Sequence, residues 1–337
     1  MNTEIVTGIM AFGMSGKVFH APFIDKHPGF KLHAVTERNQ KNAAAIYPGI
    51  ISYNTIEDLI ADEKIDLIII NTPNYTHFDY ATKALKAGKH ILVEKPFTAT
   101  SAEAKEIFDL AKSVDKQVFV YQNRRWDSDF SSVREVIESG QLGKLNEVHF
   151  RFDRYRADIG PKTFKEQPIA ASGLIYDLGP HLLDQVISIF GKPDSSHKIL
   201  GENRKDTKVN DYFSIHLSYP NSVNVFVHAN LLVADPLPAF VLHGSHGSFI
   251  KDRSDVQEEQ LLQGMKLTDP MYGVELPGRA GKLTLIDEQG NKVQHLIPSL
   301  KGDYIPLFEA MYQRITNQVA YPITEEQIIT QLEILES

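Results

Sequence analysis

Three side chains in this sequence have the type and setting to move a proton or meet a developing charge: Lys95, Asp177 and His181. Lys95 stands in His90-Ile91-Leu92-Val93-Glu94-Lys95-Pro96, where an apolar run that reads as a buried strand stops at a charged pair followed by proline. Proline keeps the residue before it out of the helical region. In an open α/β sheet ligands bind at the carboxyl ends of the parallel strands, which places Lys95 toward a crevice. The alternative is a solvated lysine at a strand end. Asp177 and His181 are four residues apart in Gly173-Leu174-Ile175-Tyr176-Asp177-Leu178-Gly179-Pro180-His181. Leu182, Leu183, Val186, Ile187 and Phe190 follow at helical spacing and give one buried face. Proline is tolerated in a first helical turn, where its missing N–H has no partner to lose. The pattern therefore predicts that Asp177 and His181 sit at or just before a helix amino terminus. The positive end of a helix favours the neutral imidazole, the form a proton acceptor needs. The alternative is that Asp177 caps the helix while His181 bonds to a nearby carbonyl.

Positioning such groups takes a scaffold, and the first third of the chain reads as one. A short strand, Ile5 to Met10, runs into Ala11-Phe12-Gly13-Met14-Ser15-Gly16-Lys17 ahead of a helix-like segment. The dinucleotide fingerprint asks for glycine at a tight turn, at the close approach to pyrophosphate and at the helix–strand contact. Ala11 holds the first of these places, Gly13 and Gly16 the second and third. A second strand, Lys31 to Thr36, ends at Glu37-Arg38, near the ~20-residue distance at which a ribose reader belongs. Glu37 suits a ribose 2′-hydroxyl and repels a 2′-phosphate, whereas Arg38 can pair with that phosphate or stack on adenine. Both being solvated is the bland alternative, and the reading leans to NADP with NAD possible.

The alternation continues with a strand from Ile65 to Asn71 and Thr72-Pro73-Asn74-Tyr75-Thr76-His77 at the head of a helix that ends at Gly88. The strand ending at Glu94-Lys95-Pro96 follows, then a helix from about Ser101 to Val114 and a strand from Gln117 to Tyr121. This spacing predicts a doubly wound parallel sheet, a Rossmann domain over residues 1–122. From 123 to 337 the pattern changes. A helix is predicted from about Asp129 to Ser139, then strands over Val148 to Tyr155, Tyr212 to Tyr219, Val223 to Val233, Ala239 to His243 and Lys282 to Ile286. The predicted fold class is α/β, with this second, α+β domain carrying a large, mostly antiparallel open sheet. Its free face suits self-association. Helices near Ile305 to Ile315 and Thr324 to Leu335 close the chain, the latter opened by a capping box in Thr324-Glu325-Glu326-Gln327.

Composition narrows the function. At 337 residues two domains are expected, and 42% hydrophobic with 23% charged residues is ordinary for a globular protein. A formal net charge of −8 without a dense basic block argues against nucleic acid as a partner. The absence of cysteine removes disulfides, thiolate metal sites and cysteine nucleophiles, and fits a reducing compartment. The amino terminus lacks the features of a signal peptide and no apolar run is long enough to span a bilayer, so a cytoplasmic protein without a membrane partner is expected. The histidines show no metal-ligand spacing, and His243 and His246 sit at an expected turn with structural roles.

The glycine turn, Thr72-Pro73 with His77, Glu94-Lys95-Pro96, and Asp177 with His181, in that order, resemble the glucose-fructose oxidoreductase, inositol dehydrogenase and MocA (Gfo/Idh/MocA) family over nearly the whole chain. Phe19-His20-Ala21-Pro22, Tyr121 to Asp127, Arg154-Tyr155-Arg156 and Tyr176-Asp177-Leu178-Gly179 further resemble its NADP-dependent scyllo-inositol dehydrogenase branch. Ala11 and Glu37 depart from the usual pattern. The resemblance implies that Lys95, Asp177 and His181 are catalytic. On that basis His181 takes the hydroxyl proton, Lys95 stabilises the alkoxide, and Asp177 bonds a neighbouring hydroxyl and balances the two cations. It also implies nucleotide contacts along Ala11, Phe12, Gly13, Met14, Ser15 and Gly16, at Glu37 and Arg38, at Thr72, Pro73, Asn74 and His77, and at Glu94, Lys95 and Asn123. Asn123, Arg124, Tyr155 and Arg156 offer donors to a polyol, or are surface residues. Trp126 is expected to be a packing anchor, while His20 and Pro22 cover the nicotinamide or pack the first helix. A cis Lys95–Pro96 bond is expected. The resemblance further implies no metal and a homodimer or homotetramer. Two other activities fit the same outline: a glycosidase that oxidises its sugar transiently on held NAD, and a nucleotide-binding regulator without turnover.

Overall fold

The order of strands explains why Lys95 lies where it does. A computed structural model describes residues 4–160 and 165–337. Residue contacts divide the chain into two units, the first holding the chain through Asn123 with Leu261–Leu267 and Tyr304–Ile329, the second holding Arg124–Gln260, Thr268–Asp303 and Thr330–Ser337. In the first unit six parallel strands, β1 (Ile5–Ile9), β2 (Phe30–Thr36), β3 (Ile51–Tyr53), β4 (Leu67–Ile70), β5 (His90–Glu94) and β6 (Val118–Tyr121), run in the order β3-β2-β1-β4-β5-β6. The order reverses between β1 and β4, the switch point at which doubly wound sheets bind ligands. Ile68, Ile69, Ile70, Ile91, Leu92 and Val93 are fully buried, as strands covered on both faces require. Each such side chain contributes about 1.5–3 kcal/mol.

Local chemistry sets the crossovers. Thr100 accepts the Glu103 N–H while the Glu103 carboxylate accepts the Thr100 N–H, opening the helix Ser101–Ser113. Thr324 and Gln327 exchange the same pair of bonds ahead of the helix Glu325–Glu336, as the sequence predicts. The segment after β1 departs from a regular helix: Gly16–His20 is a π-turn leading into the α-helical Ala21–Lys26. Tyr304–Ile329 belongs to the first unit, a placement that a division at residue 122 does not contain. Phe308 stacks on Phe23 at 5.1 Å, the Tyr312 ring packs where a Cβ on Gly29 would stand, and Tyr321 meets Phe119 at 4.9 Å.

The second unit is built on eight strands, β7 (Leu145–Arg151), β8 (Ser195–Gly201), β9 (Tyr212–Tyr219), β10 (Val223–Asn230), β11 (Phe240–Gly244), β12 (Gly247–Lys251), β13 (Gly281–Ile286) and β14 (Lys292–Ile297), ordered β14-β13-β12-β11-β7-β10-β9-β8. Only β7 and β10 are parallel. Alternate residues Phe213, Ile215, Leu217 and Val225, Val227 are buried, and the helix Gly173–Phe190 packs against β9 and β10. The opposite face carries His216, Phe226 and His149 in register, with Phe226 stacked between the two imidazoles at 4.8 and 5.0 Å. His243 and His246 lie at the β11–β12 hairpin, where His243 bonds Ser248. No helix among the described residues is long and apolar enough to cross a membrane.

Candidate active site

The ends of β1 and β4 are tied together by one side chain. Asn71 accepts the Ala11 N–H at 2.9 Å and donates to the Ala11 carbonyl at 2.7 Å and to Ser15 Oγ at 3.0 Å. This fixes the turn Ala11–Gly16 at the switch point. A Cβ on Gly16 would stand 2.2 Å from the Ala11 carbonyl oxygen, so glycine is required there by the chain itself. A Cβ on Gly13 would meet no protein atom within 4 Å. Gly13 therefore lines open space, a cradle of the kind a pyrophosphate fills, and the residues present fit a dinucleotide. Phe12 is buried, its N–H bonded to the Thr36 carbonyl, whereas Gly13 and Met14 are exposed at the turn.

At the end of β2 the two candidate ribose readers have separate fates. Glu37 is buried, and its carboxylate accepts from the Asn42 and Ala43 N–H groups and from Ser52 Oγ at 2.7 Å. Lys41 closes the same loop by donating to the carbonyls of Glu37, Ser52 and Tyr53. Arg38 is exposed beside it.

Beyond β4 and β5 a second network sets Lys95. His77 is wholly buried, one ring nitrogen 2.8 Å from the Pro96 carbonyl and the other 3.0 Å from the Thr72 carbonyl. Burial pushes its pKa down against the pull of those two carbonyls. His77 thus braces the Thr72–Pro73 loop against the Lys95–Pro96 turn, whose peptide bond is cis. Thr72 and Thr76 bond to one another at 2.6 Å, and Asn74 opens the short turn between them and the helix. Glu94 accepts from His20 at 2.8 Å. Burial alone would raise the Glu94 carboxyl, but the His20 bond and the charge of Lys95 outweigh it and hold the group below its ordinary pKa. Lys95 is half-buried beside this ionised carboxylate. His20 is fully buried, edge-on to Tyr121 at 4.5 Å. Asn123 is buried at the start of the short turn Asn123–Trp126.

In the second unit one expectation is corrected. Asp177 and His181 do not lie at a helix amino terminus: the helix runs Gly173–Phe190 with Pro180 inside it. The cause is a cap from elsewhere in the chain. Asn210 accepts the Leu174 N–H on its carbonyl and the Ile175 N–H on its side chain, both at 2.8 Å, so the helix starts seven residues before the proline. Gly173, at φ 80°, supplies the left-handed entry. The Pro180 carbonyl accepts from Gln331 at 2.8 Å. The favourable dipole argued for His181 is therefore absent, and what the helix supplies is register: Asp177 and His181, four apart, share one face. The Asp184 carboxylate holds this helix to Arg125 by two bonds of 2.7 and 2.8 Å, both residues buried.

Asp177 is half-buried and bonded to Lys165. Arg154 lies close enough to feel the Asp177 charge; its guanidinium stacks on Phe152 at 4.4 Å, and burial, opposed by Asp177, lowers its pKa. Arg124 is drawn inward, bonded to buried Asp127 at 3.1 Å and to Glu258 at 2.6 Å. Tyr155 is 66% exposed, and Arg156 is exposed with its N–H on the Leu231 carbonyl. Trp126 is partly buried, its carbonyl accepting from Gln257.

Known proteins carry the same two halves. A family model described as "Oxidoreductase family, NAD-binding Rossmann fold" matches residues 5–122, and one for the GFO/IDH/MocA C-terminal domain matches residues 130–250. This chain belongs to the Gfo/Idh/MocA oxidoreductase family. It is 36% identical to the oxidoreductase YdgJ of Escherichia coli over 100% of this chain and 96% of that one. It is 31% identical to the scyllo-inositol 2-dehydrogenase (NADP(+)) IolW of Bacillus subtilis, over 99% and 92% of the two chains. The crystal structure of an oxidoreductase from Bacillus cereus superposes with a TM-score of 0.91 at 32% identity, over 98% and 95%.

Within this Gfo/Idh/MocA oxidoreductase the structure brings Ala11–Gly16 to Asn71, the Thr72–His77 loop to Pro96, and Glu94 to His20 in the first unit, and Asp177 to Lys165 in the second. Four residues escaped the sequence reading: Lys165, Asn210, and Arg125 with Asp184 as an anchoring pair. Spacing carries no signal for any of them. The one available hint is Gly173, since a glycine ahead of an apolar helical run is a natural entry point.

Proposed function

We propose that this oxidoreductase oxidises a secondary alcohol of a cyclic polyol or sugar, scyllo-inositol-like, with NADP preferred over NAD. The observation that carries the reading is Lys95 at the carboxyl end of β5, braced by His77 and set beside an ionised Glu94. The bound nicotinamide supplies the hydride acceptor. His181 takes the hydroxyl proton, Lys95 holds the alkoxide oxygen as negative charge develops, and Asp177 accepts from a neighbouring hydroxyl. The C–H electron pair leaves with the hydride, the O–H proton goes to His181, and a ketone remains. In this reading Asn123, Arg124, Tyr155 and Arg156 belong to the polyol side, with Arg156 and Tyr155 better exposed for contact than Arg124. The first unit, with residues 1–122 at its centre, serves as the nucleotide domain and the second as the substrate and self-association domain.

The preference for NADP is supported by the engagement of Glu37 and the exposure of Arg38, and by the name of the Bacillus subtilis relative. The test is reduction of NADP and NAD in parallel by the purified protein with scyllo-inositol. Lys95→Met is expected to bind nucleotide as the parent does while turnover falls about 100- to 1,000-fold, the usual loss when one oxyanion donor is removed. Unchanged turnover in that variant removes the lysine from the mechanism, and product release without net nucleotide reduction selects the glycosidase reading.

A further inference from the structure

Lys165 is bonded to Asp177, and the two side chains are 28% and 26% exposed. An ion pair this open contributes little to stability in the ordinary case. What sets this one apart is that a single stretch, residues 203–211, fixes both partners. Asn210 starts the helix that carries Asp177. Arg204, buried and bonded to Asp211, reaches Glu166 at 2.8 Å and so pins the residue next to Lys165. Glu166 in turn accepts the Gly160 N–H at 3.1 Å. The backbone positions that carry Lys165 and Asp177 are thereby both tied to one stretch of chain.

We infer that Lys165 is a positioning residue for the oxidation, keeping one oxygen of Asp177 engaged so that the carboxylate stays ionised and presents its other oxygen to a substrate hydroxyl. The inference rests on the reading of Asp177 as that acceptor. A cation beside a carboxylate favours its charged form, and a bond to one oxygen fixes the plane of the other. Among the described residues, the charged groups near Asp177 include Lys165, Arg154 from the stretch after β7, and His181 one turn along the helix, with Arg124, Arg156 and Glu258 around Arg154. Arg154 remains when Lys165 is removed, so the loss is partial.

The experiment compares the parent with Lys165→Met, Lys165→Arg, Glu166→Gln and Asp177→Asn, reading kcat, KM for the polyol and the pH dependence of kcat/KM. Lys165→Met is expected to raise KM about tenfold and to move the acid limb of the profile upward, because an Asp177 charge no longer neutralised by Lys165 favours the protonated form of His181, the base whose deprotonation sets that limb. Lys165→Arg restores the limb, and Glu166→Gln shifts it the same way by less. Nucleotide affinity stays with the parent throughout and the melting temperature does so in the Lys165 variants, which separates positioning from misfolding; Glu166→Gln, which removes the charge paired with buried Arg204, lowers the melting temperature. A Lys165→Met profile superimposed on the parent, with Asp177→Asn inactive, overturns the role of Lys165 and leaves Asp177 standing. Parent-like activity in Asp177→Asn overturns both.

Discussion

Three donors converge on the Glu37 carboxylate, so a 2′-hydroxyl arriving at the end of β2 meets an acceptor already engaged, while Arg38 is exposed beside it. The two residues consequently separate under mutation. Glu37→Gln is expected to destabilise by about 1–3 kcal/mol, since it strands buried N–H groups, with the ratio of NADP to NAD turnover little changed. Arg38→Ser is expected to raise KM for NADP about 10- to 100-fold, the loss of a charge-assisted bond, and to leave NAD alone. Melting curves and steady-state rates with each nucleotide check both; a preference reversed by Glu37→Gln would return that residue to the ribose. At this scale sequence shows which atoms are chemically able and seldom which are free. The types of Glu37 and Arg38 set the contest, but the engagement of Glu37 depends on Asn42, Ala43 and Ser52 folding back on its carboxylate. Lys165 was invisible for the same reason, because nothing in its spacing from Asp177 distinguishes a bonded pair from two solvated charges.

Elements with a local signal were readable, and those governed from elsewhere were not. Central strands β4 and β5 declare themselves by apolar runs, and the Thr324–Gln327 cap by its residue types. The strands β8 and β14 went unread because edge strands exposed to water keep polar side chains, as in Ser195-Ser196-His197-Lys198 and in the exposed Lys292 to Leu296. The helix Gly173–Phe190 was misplaced because proline is the strongest local signal in its sequence, and a cap from Asn210 overrides it. The glycine turn gives this scale its test. Gly16→Ala forces a Cβ against the Ala11 carbonyl and is expected to lower both the melting temperature and nucleotide affinity. Gly13→Ala meets no protein atom, so it is expected to keep the parent melting temperature and lose about tenfold in affinity, or about 1.4 kcal/mol. Parent-like affinity in Gly13→Ala would take the pyrophosphate away from that cradle.

For the whole molecule, the half-exposed face of the eight-stranded sheet supports our inference that copies of this chain associate as a homodimer or homotetramer. Phe226 stands midway in the in-register row His216–Phe226–His149. A carboxylate there would be desolvated opposite its own copy across a symmetric contact. Phe226→Glu is expected to shift the mass measured by light scattering to that of one chain while the melting transition persists; an unchanged mass places association elsewhere. The alternation of β9 and β10 made an open face legible, because only one side of each strand is buried within the chain. The return of Tyr304–Ile329 to the first unit was not, since an amphipathic helix reveals that it has a partner without naming it.

That return also sets a schedule for synthesis. The partners of Phe23, Gly29 and Phe119 are Phe308, Tyr312 and Tyr321, and Tyr304 lies 181 residues beyond Asn123. At about 5–20 residues per second, roughly 10–40 s pass on the ribosome between the two. Through that interval the first unit carries bare aromatic surface, the condition in which nascent chains recruit chaperones or aggregate. The second unit waits as well, for Thr330–Ser337. A message cut short anywhere before those segments therefore yields no finished half.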